Sequence, residues 1–176
     1  MDSLENVKRA MSGSKDAFVS LVRDNEGVMY GIARGIVNSD NDAADAIQET
    51  ILKAYRNLNQ LRDPAYFRTW MIRILINECR SIIRQNNQFA AITYLLRPDE
   101  PSGTSVEDRM ELNELLERLE LDHREIIALY YIQDIPVKEI SQILDLSEGT
   151  VKSRLYRARS KLAAMMNQNS SREALQ

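Results

Sequence analysis

The sequence is poor in the residues from which most catalytic and metal sites are built. Its 176 residues include one cysteine, Cys79, and one histidine, His123. A single cysteine cannot form an internal disulfide, which suits a reducing compartment. A sole histidine argues against histidine-based metal centres and nucleophile–histidine pairs. No glycine-rich phosphate loop ending in Lys-Ser or Lys-Thr is present either. We therefore expect no enzymatic activity, no metal and no cofactor.

Long hydrophobic runs and a basic surplus are also missing. No stretch approaches about 18 uninterrupted apolar residues, and no basic segment followed by an apolar run opens the chain. We therefore expect no membrane span, no signal peptide and a cytoplasmic location. Lysine and arginine number 23 against 26 acidic residues, a net charge of -3. A free DNA-binding protein usually carries a basic surplus, so any basic surface on this chain is a local patch.

The most distinctive stretch present is a basic amphipathic segment at residues 147–162. Ser147 is a favourable N-cap, and one face carries the apolar residues Val151, Leu155, Ala158 and Leu162. A short apolar stripe precedes it, beginning after Pro136 and separated from it by a turn at residues 145–147. Short helix, tight turn and basic helix are typical of a helix-turn-helix. The alternative is an ordinary helix pair with a solvated basic face.

Helical periodicity also dominates the first half of the chain. It predicts helices over residues 16–38, 43–58 and 67–84, and no strand pattern competes with them. Gly27, Gly31 and Gly35 recur every four residues in the first of these. They are either tolerated surface glycines or a helix face that another backbone approaches closely.

Two polar faces stand out on the helices that follow. Asp45, Gln48 and Glu49 lie opposite the predicted buried face of their helix, formed by Ile47, Ile51, Ala54, Tyr55 and Leu58. A mostly basic stripe on the next helix contains Arg73, Asn77, Arg80 and Arg84. Solvation alone would explain both faces. Phe67 and Trp70, beside the basic stripe, suit core packing or the stacking of single-stranded bases.

Residues 86–106 have no helical periodicity and carry Pro98, Pro101 and Gly103, so they predict a linker with at most a short helical piece at residues 89–95. An acidic amphipathic helix is expected over residues 107–119. The next helix should be capped by Asp122 and should pack through Ile126, Ile127, Tyr130 and Tyr131.

Four short motifs stand out towards the C-terminus: residues 122–125 (DHRE), 129–131 (LYY), 138–141 (KEIS) and 148–159 (EGTVKSRLYRAR). They resemble motifs of bacterial sigma factors of the sigma-70 family, in the extracytoplasmic-function (ECF) group. In the N-terminal half, residues 42–49 (DAADAIQE) and 54–58 (AYRNL) resemble the segment with which these factors dock on core RNA polymerase. One departure is Glu120, which stands where the family usually has a proline and puts the helix break there in doubt.

The resemblance implies an all-α chain of two small helical domains joined by a flexible linker. Residues 10–85 would bind core RNA polymerase and the promoter -10 element, residues 86–106 would be the linker, and residues 107–166 would bind the -35 element through a helix-turn-helix. The implied polymerase contacts are Asp45, Gln48 and Glu49. The implied -10 contacts are Asn59, Arg62, Tyr66, Arg73, Asn77 and Arg80. The implied -35 contacts are Gly149, Thr150, Lys152, Ser153, Tyr156, Arg157 and Arg159.

The resemblance also implies partners: core RNA polymerase, promoter DNA and an anti-sigma factor, which is often membrane-anchored, with no membrane contact by this chain itself. We further expect a compact free form in which the acidic helix of residues 107–119 covers part of the basic surface. A stand-alone helix-turn-helix regulator is the alternative. It would explain residues 107–166 and leave the acidic face and the Asn77 helix without a role.

Overall fold

A computed structural model describes residues 3–37, 39–96, 116 and 118–173, with side chains for residues 4–37, 39–88, 116 and 118–166. This part of the chain is helical and contains no strand, which confirms the all-α class. The helices are α1 (Ser3–Met11), α2 (Lys15–Ile36), α3 (Asp40–Asn57), α4 (Phe67–Leu96), α5 (Leu121–Ile127), α6 (Val137–Leu144) and α7 (Glu148–Glu173). Two 3-10 turns, Leu58–Gln60 and Pro64–Tyr66, lie between α3 and α4, and a π-helical turn, Ala128–Ile132, follows α5.

Short polar side chains cap the helices, as their position in the sequence suggests. The Ser14 hydroxyl accepts from the Ala17 amide at 3.4 Å, and the Ser39 hydroxyl accepts from the Asp42 amide at 3.0 Å. Each cap satisfies a backbone donor that has no partner within its own helix. The cap predicted at Asp122 is wrong, because α5 begins at Leu121 and Glu120, two residues before Asp122, occupies the N-cap position.

The helix break expected near Glu120 is present, although the family that the sequence resembles usually has a proline at this position. Its backbone lies at φ -59° and ψ 147°, angles that a proline would also adopt. The residues just before it form a turn, and α5 starts just after it. The break therefore does not depend on proline at this position.

The N-terminal core is formed by α2, α3 and α4, with α1 packed against α2. Its largest fully buried side chains include Leu21, Met29, Ile32, Met71 and Leu75. The predicted buried face of α3 is partly wrong. Ala43, Ala46, Thr50 and Ala54 are its buried residues, whereas Tyr55 is 48% exposed. Small side chains let the backbone of α3 approach its neighbours closely, so the alanine stripe faces the core rather than the isoleucine stripe.

Helix α4 is longer than the sequence pattern predicts. It continues without interruption to Leu96, through the first half of the segment expected to be a linker. Pro98 is the first residue after Pro64 that a helix interior would exclude, so nothing earlier forces the helix to end. The rest of the predicted linker and residues 107–115 of the predicted acidic helix lie outside the described residues. Leu116 and Leu119, from the end of that helix, are buried.

The C-terminal core joins α5, the π-helical turn, α6 and α7. Ile126, Leu129, Ile140 and Val151 are completely buried in it. Tyr130 and Tyr131, which were expected to pack, are instead 37% and 47% exposed. The π-helical turn at Ala128–Ile132 changes the register of the helix here, and such turns are rare and carry no simple sequence signature.

The N- and C-terminal halves lie against each other in this structure. Helix α2 contacts α5 and the π-helical turn, and α4 contacts α6. Among the residues described, no helix is both long enough and apolar enough to cross a bilayer.

Candidate nucleic-acid interface

The helix-turn-helix predicted from the sequence is present as α6, a three-residue turn and α7. Asp145 ends α6 in the left-handed conformation (φ 56°, ψ 49°), and the Leu146 amide donates to the Ser141 carbonyl at 2.9 Å. Ser147 then caps α7 as predicted, because its hydroxyl accepts from the Thr150 amide at 3.1 Å. These local bonds set the angle at which α7 leaves the turn.

One face of α7 is anchored and the opposite face is exposed. Val151, Leu155 and Ala158 are buried, as their spacing predicts. The seven expected -35 contacts are exposed except Thr150, which is half-buried, and Tyr156 is the most open of the large apolar residues at 66%. The Thr150 hydroxyl lies 2.9 Å from the Ser147 hydroxyl, so it takes part in the cap. The exposed face carries hydroxyl, phenol and guanidinium groups that can bond to DNA.

The cations of α7 divide into a neutralised side and an open side. Arg154 pairs with Asp122 at 2.9 Å, and Lys161 pairs with Glu120 at 2.7 Å. The Lys161 ammonium, by hydrogen bond and charge, holds the pKa of the Glu120 carboxyl below its usual range. Lys152, Arg157 and Arg159 are exposed, and among the described residues none of the three has an acidic partner. An acidic chain thereby presents a local cationic surface.

Three of the six expected -10 contacts line one groove in front of α4. Arg62, Tyr66 and Arg73 border a space of about 600 Å³ together with Trp70. The far wall comes from the helix-turn-helix, through Gln142 and Asp145. Asn59 and Asn77 are exposed outside this groove.

Arg73 and Arg80 are bound to the C-terminal half. Arg73 donates from Nε to the Ile143 carbonyl at 3.3 Å and from Nη2 to the Gln142 carbonyl, at the end of α6. Arg80 donates from Nε and Nη2 to the two carboxylate oxygens of Glu125, at 2.6 Å and 2.7 Å. This bidentate bond to Glu125 raises the pKa of the Arg80 guanidinium. Glu125 is completely buried, and sequence reasoning missed its role because its partner lies 45 residues away.

The acidic face of α3 is exposed as expected. Asp45, Gln48 and Glu49 border a groove of about 430 Å³ between α3 and α4. Lys53 and Glu78 lie in the same groove and pair with each other at 2.6 Å. Gln48 also borders a second, more apolar groove between α2 and α3, lined by Tyr30, Ile47 and Ile51 among others. A carboxylate edge beside an apolar groove is a surface suited to a basic protein partner.

Comparisons with known proteins match both halves of the chain. Residues 21–89 match the family described as sigma-70 region 2, and residues 109–162 match sigma-70, region 4. The ECF RNA polymerase sigma-E factor of Haemophilus influenzae is 29% identical over 169 residues, covering 87% of this chain and 89% of that protein. The ECF RNA polymerase sigma factor SigM of Mycobacterium tuberculosis is 29% identical over 157 residues, covering 89% and 80%.

Solved structures agree in fold. The structure of CnrH in complex with the cytosolic domain of CnrY matches with a TM-score of 0.76 and 28% identity, covering 95% of this chain and 99% of that one. The sigma factor RpoE in complex with the anti-sigma factor NepR, from Bartonella quintana, shares the fold with a TM-score of 0.66 at 22% identity, covering 82% and 95%.

Two sigma-70 regions in the expected order, on an all-α chain with an exposed cationic helix-turn-helix, define a promoter-recognition protein. The chain belongs to the sigma-70 family, in its ECF group. It is a sigma factor with promoter-recognising function and not a stand-alone regulator, since region 2 accounts for the half of the chain that a lone helix-turn-helix leaves unexplained.

Proposed function

We propose that this chain binds core RNA polymerase and directs it to promoters by contacting the -10 element through region 2 and the -35 element through region 4. The observation that carries the proposal is the arrangement of α7. Its apolar face packs on the C-terminal core and Arg154 pairs with Asp122, while Lys152, Arg157 and Arg159 are exposed to solvent. The chain itself carries no chemistry in this proposal, and the polymerase performs the synthesis.

The contacts proposed for polymerase are Asp45, Gln48 and Glu49. Their exposure supports the assignment, as does the apolar groove that Gln48 borders beside them. A single exposed ion pair is worth only about 0–1 kcal/mol, so strong docking requires that these groups lose water against a basic partner surface.

The contacts proposed for the -10 element are Asn59, Arg62, Tyr66, Arg73, Asn77 and Arg80. The groove at Arg62 and Tyr66 supports the proposal, because it combines cations with the aromatic rings of Tyr66 and Trp70. An unstacked base can rest on an aromatic ring while arginine binds the phosphate beside it, at about 1–3 kcal/mol per stacked base.

The contacts proposed for the -35 element are Gly149, Thr150, Lys152, Ser153, Tyr156, Arg157 and Arg159. Ser153 donates its hydroxyl to the Thr150 carbonyl at 3.0 Å, which leaves the oxygen lone pairs available to a base. Arg157 can pair with a guanine edge in the major groove, and Lys152 and Arg159 suit phosphates on either side.

We propose domains at residues 10–85 and 107–166 with the segment of residues 86–106 between them, the first half of which continues α4 to Leu96. We also propose a cytoplasmic protein that is regulated by an anti-sigma factor. The solved complex of CnrH with the cytosolic domain of CnrY supports a protein partner of this kind, because that CnrH chain is 28% identical over 95% of this chain.

The proposal is tested by capture of core RNA polymerase on the tagged full chain. Asp45→Lys with Glu49→Lys should abolish capture without changing the helix content measured by circular dichroism. Asp16→Lys with Asp24→Lys is the matched control, since it makes the same change of charge at two exposed positions of α2. Equal capture by wild type and the α3 variant would contradict the docking surface. Equal loss in both variants would show a general charge effect instead.

A further inference from the structure

Three arginines make hydrogen bonds between the two halves. Arg73 and Arg80 reach from α4 to α6 and α5, as described above. Arg124 reaches the other way, from α5 to the carbonyl of Ile36 at the end of α2, at 3.1 Å. Arg73 and Arg124 each donate to carbonyls at a helix C-terminus, where backbone oxygens lack partners and the helix dipole favours a positive charge.

Two glycines of α2 form a seat for the π-helical turn. A methyl group at Gly35 would lie 2.8 Å from the Ala128 Cβ and 2.8 Å from the Ile132 Cδ1, closer than carbon atoms can pack. A methyl group at Gly31 would meet the side chain of Gln133. Gly27 has nothing within 4 Å. The glycine repeat is therefore a close-approach face at Gly35, where the added methyl group would also lie 3.5 Å from the Ala128 Cα. At Gly31 the nearest neighbour is the end of a flexible side chain, and Gly27 is an open position.

The closed arrangement uses the groups that the proposed function assigns to promoter DNA. Glu125 fills the guanidinium fork of Arg80 with two oxygens, as a phosphate of single-stranded DNA would. The carbonyls at the end of α6 accept hydrogen bonds from the guanidinium of Arg73, and Gln142 and Asp145 border the groove beside Tyr66. In this arrangement the Nε and Nη2 side of both guanidinium groups is occupied by the C-terminal half, so this side cannot form two parallel bonds to a phosphate while the halves are closed.

We propose that Glu125 and the Gly31–Gly35 seat form an intramolecular latch that closes the free factor and withholds Arg73 and Arg80 from single-stranded DNA. Opening of the two halves then releases the -10 surface. The inference rests on the proposed function, because that function places Arg73 and Arg80 at the -10 element.

The latch is tested first by small-angle X-ray scattering on the full chain. Gly35→Ala should separate the halves and raise the radius of gyration, because the new methyl group cannot fit against Ala128. Gly27→Ala is the matched control, with the same chemical change on the same helix at an open position. Glu125→Gln gives a second, independent route, since it removes the charge that pairs with Arg80 while keeping the side-chain shape. Helix content from circular dichroism confirms that each variant is folded.

The second measurement is fluorescence anisotropy with a labelled single-stranded oligonucleotide of random sequence. If the closed form is about nine-tenths of the free protein, full opening raises the apparent affinity about tenfold. We expect that gain in Gly35→Ala and in Glu125→Gln, and wild-type affinity in Gly27→Ala. A compact Gly35→Ala and a compact Glu125→Gln would overturn the latch, and so would opening without any gain in affinity.

Adding Arg80→Ala to the opened Gly35→Ala variant separates the latch from the function on which it rests. We expect the gained affinity to be lost again. If the gain survives without Arg80, the opened arrangement stands but Arg80 is not part of the -10 surface, which contradicts the proposed function at that residue. It would also show that Glu125 does not act by competing with DNA for Arg80.

Discussion

Removal of Arg80 should show how much the contact between the halves stabilises the fold. Arg80→Ala leaves the carboxylate of Glu125, which has no exposed side-chain surface, without its bidentate partner. Breaking one side of a buried pair costs about 3–5 kcal/mol, because the remaining charge stays out of water. The halves can also separate and hydrate Glu125, so the loss cannot exceed the free energy that holds them together, which is about 1.3 kcal/mol for a closed form of about nine-tenths.

The size of that loss can be converted to a melting temperature. For a chain of this length, each kcal/mol shifts Tm by about 2–4 °C, so the limited loss corresponds to roughly 3–5 °C. The double variant Arg80→Met with Glu125→Leu should recover most of it, because apolar residues of similar volume often replace a buried ion pair without loss. Thermal unfolding followed by circular dichroism measures all three proteins.

A small change in stability, with no energetic coupling between Arg80 and Glu125, would refute this reasoning. If Arg80→Met and Glu125→Leu, measured singly in the same way, each changed stability by less than about 1 kcal/mol and the double variant showed the sum of the two effects, the pair would behave as an exposed surface bridge. The burial of Glu125 between the halves would then not describe the protein in solution.

Three further predictions follow from the same contacts. Arg157→Ala should reduce the discrimination between bases at one -35 position by about 1–3 kcal/mol. Arg159→Ala should weaken binding to all DNA sequences alike and lower the slope of log affinity against log salt concentration by about one. Binding to single-base DNA variants at two salt concentrations checks both, and the reverse pattern would mean that α7 is rotated in the groove. Burial, with Glu125 nearby, raises the pKa of the Cys79 thiol to about 12, and the reactive thiolate forms only as the pH rises through that value. A thiol reagent at pH 8 should therefore leave the folded protein unmodified and label it only in denaturant. Rapid labelling of the native protein would contradict this. Lys161→Ala should raise the pKa of Glu120, because the lysine stabilises the ionised carboxylate. An NMR titration of that carboxyl group measures the change. An unchanged pKa would contradict the contact between Lys161 and Glu120.

Local features of the fold were predictable from the sequence and non-local ones were not. The Ser147 cap, the turn after α6 and the buried stripe of α7 depend on neighbours within a few residues, and all three are observed. The buried face of α3 was misjudged because an isoleucine stripe and an alanine stripe both have helical spacing. Only the distance to the neighbouring helices decides between them.

The same distinction applies to the candidate site. The motifs predicted -35 contacts that all lie on α7, where six of the seven are exposed, and the structure brings Arg62, Tyr66 and Arg73 to one groove. The burial of Glu125 and the close approach at Gly35 depend on partners in the other half of the chain. No periodicity within a single helix contains that information, although the glycine repeat indicated a close approach as one of two alternatives.

The central claim is that this chain gives promoter specificity to RNA polymerase, and run-off transcription tests it most directly. Core enzyme is incubated with the purified chain and a library of promoter fragments that vary around the -35 and -10 positions, and the transcribed fragments are sequenced. The account predicts transcripts that need both the chain and the core enzyme, from fragments sharing one motif at each position, with Asp45→Lys and Glu49→Lys together abolishing them. Sequence-specific DNA binding by the chain without any gain of transcription over core enzyme alone would contradict the account.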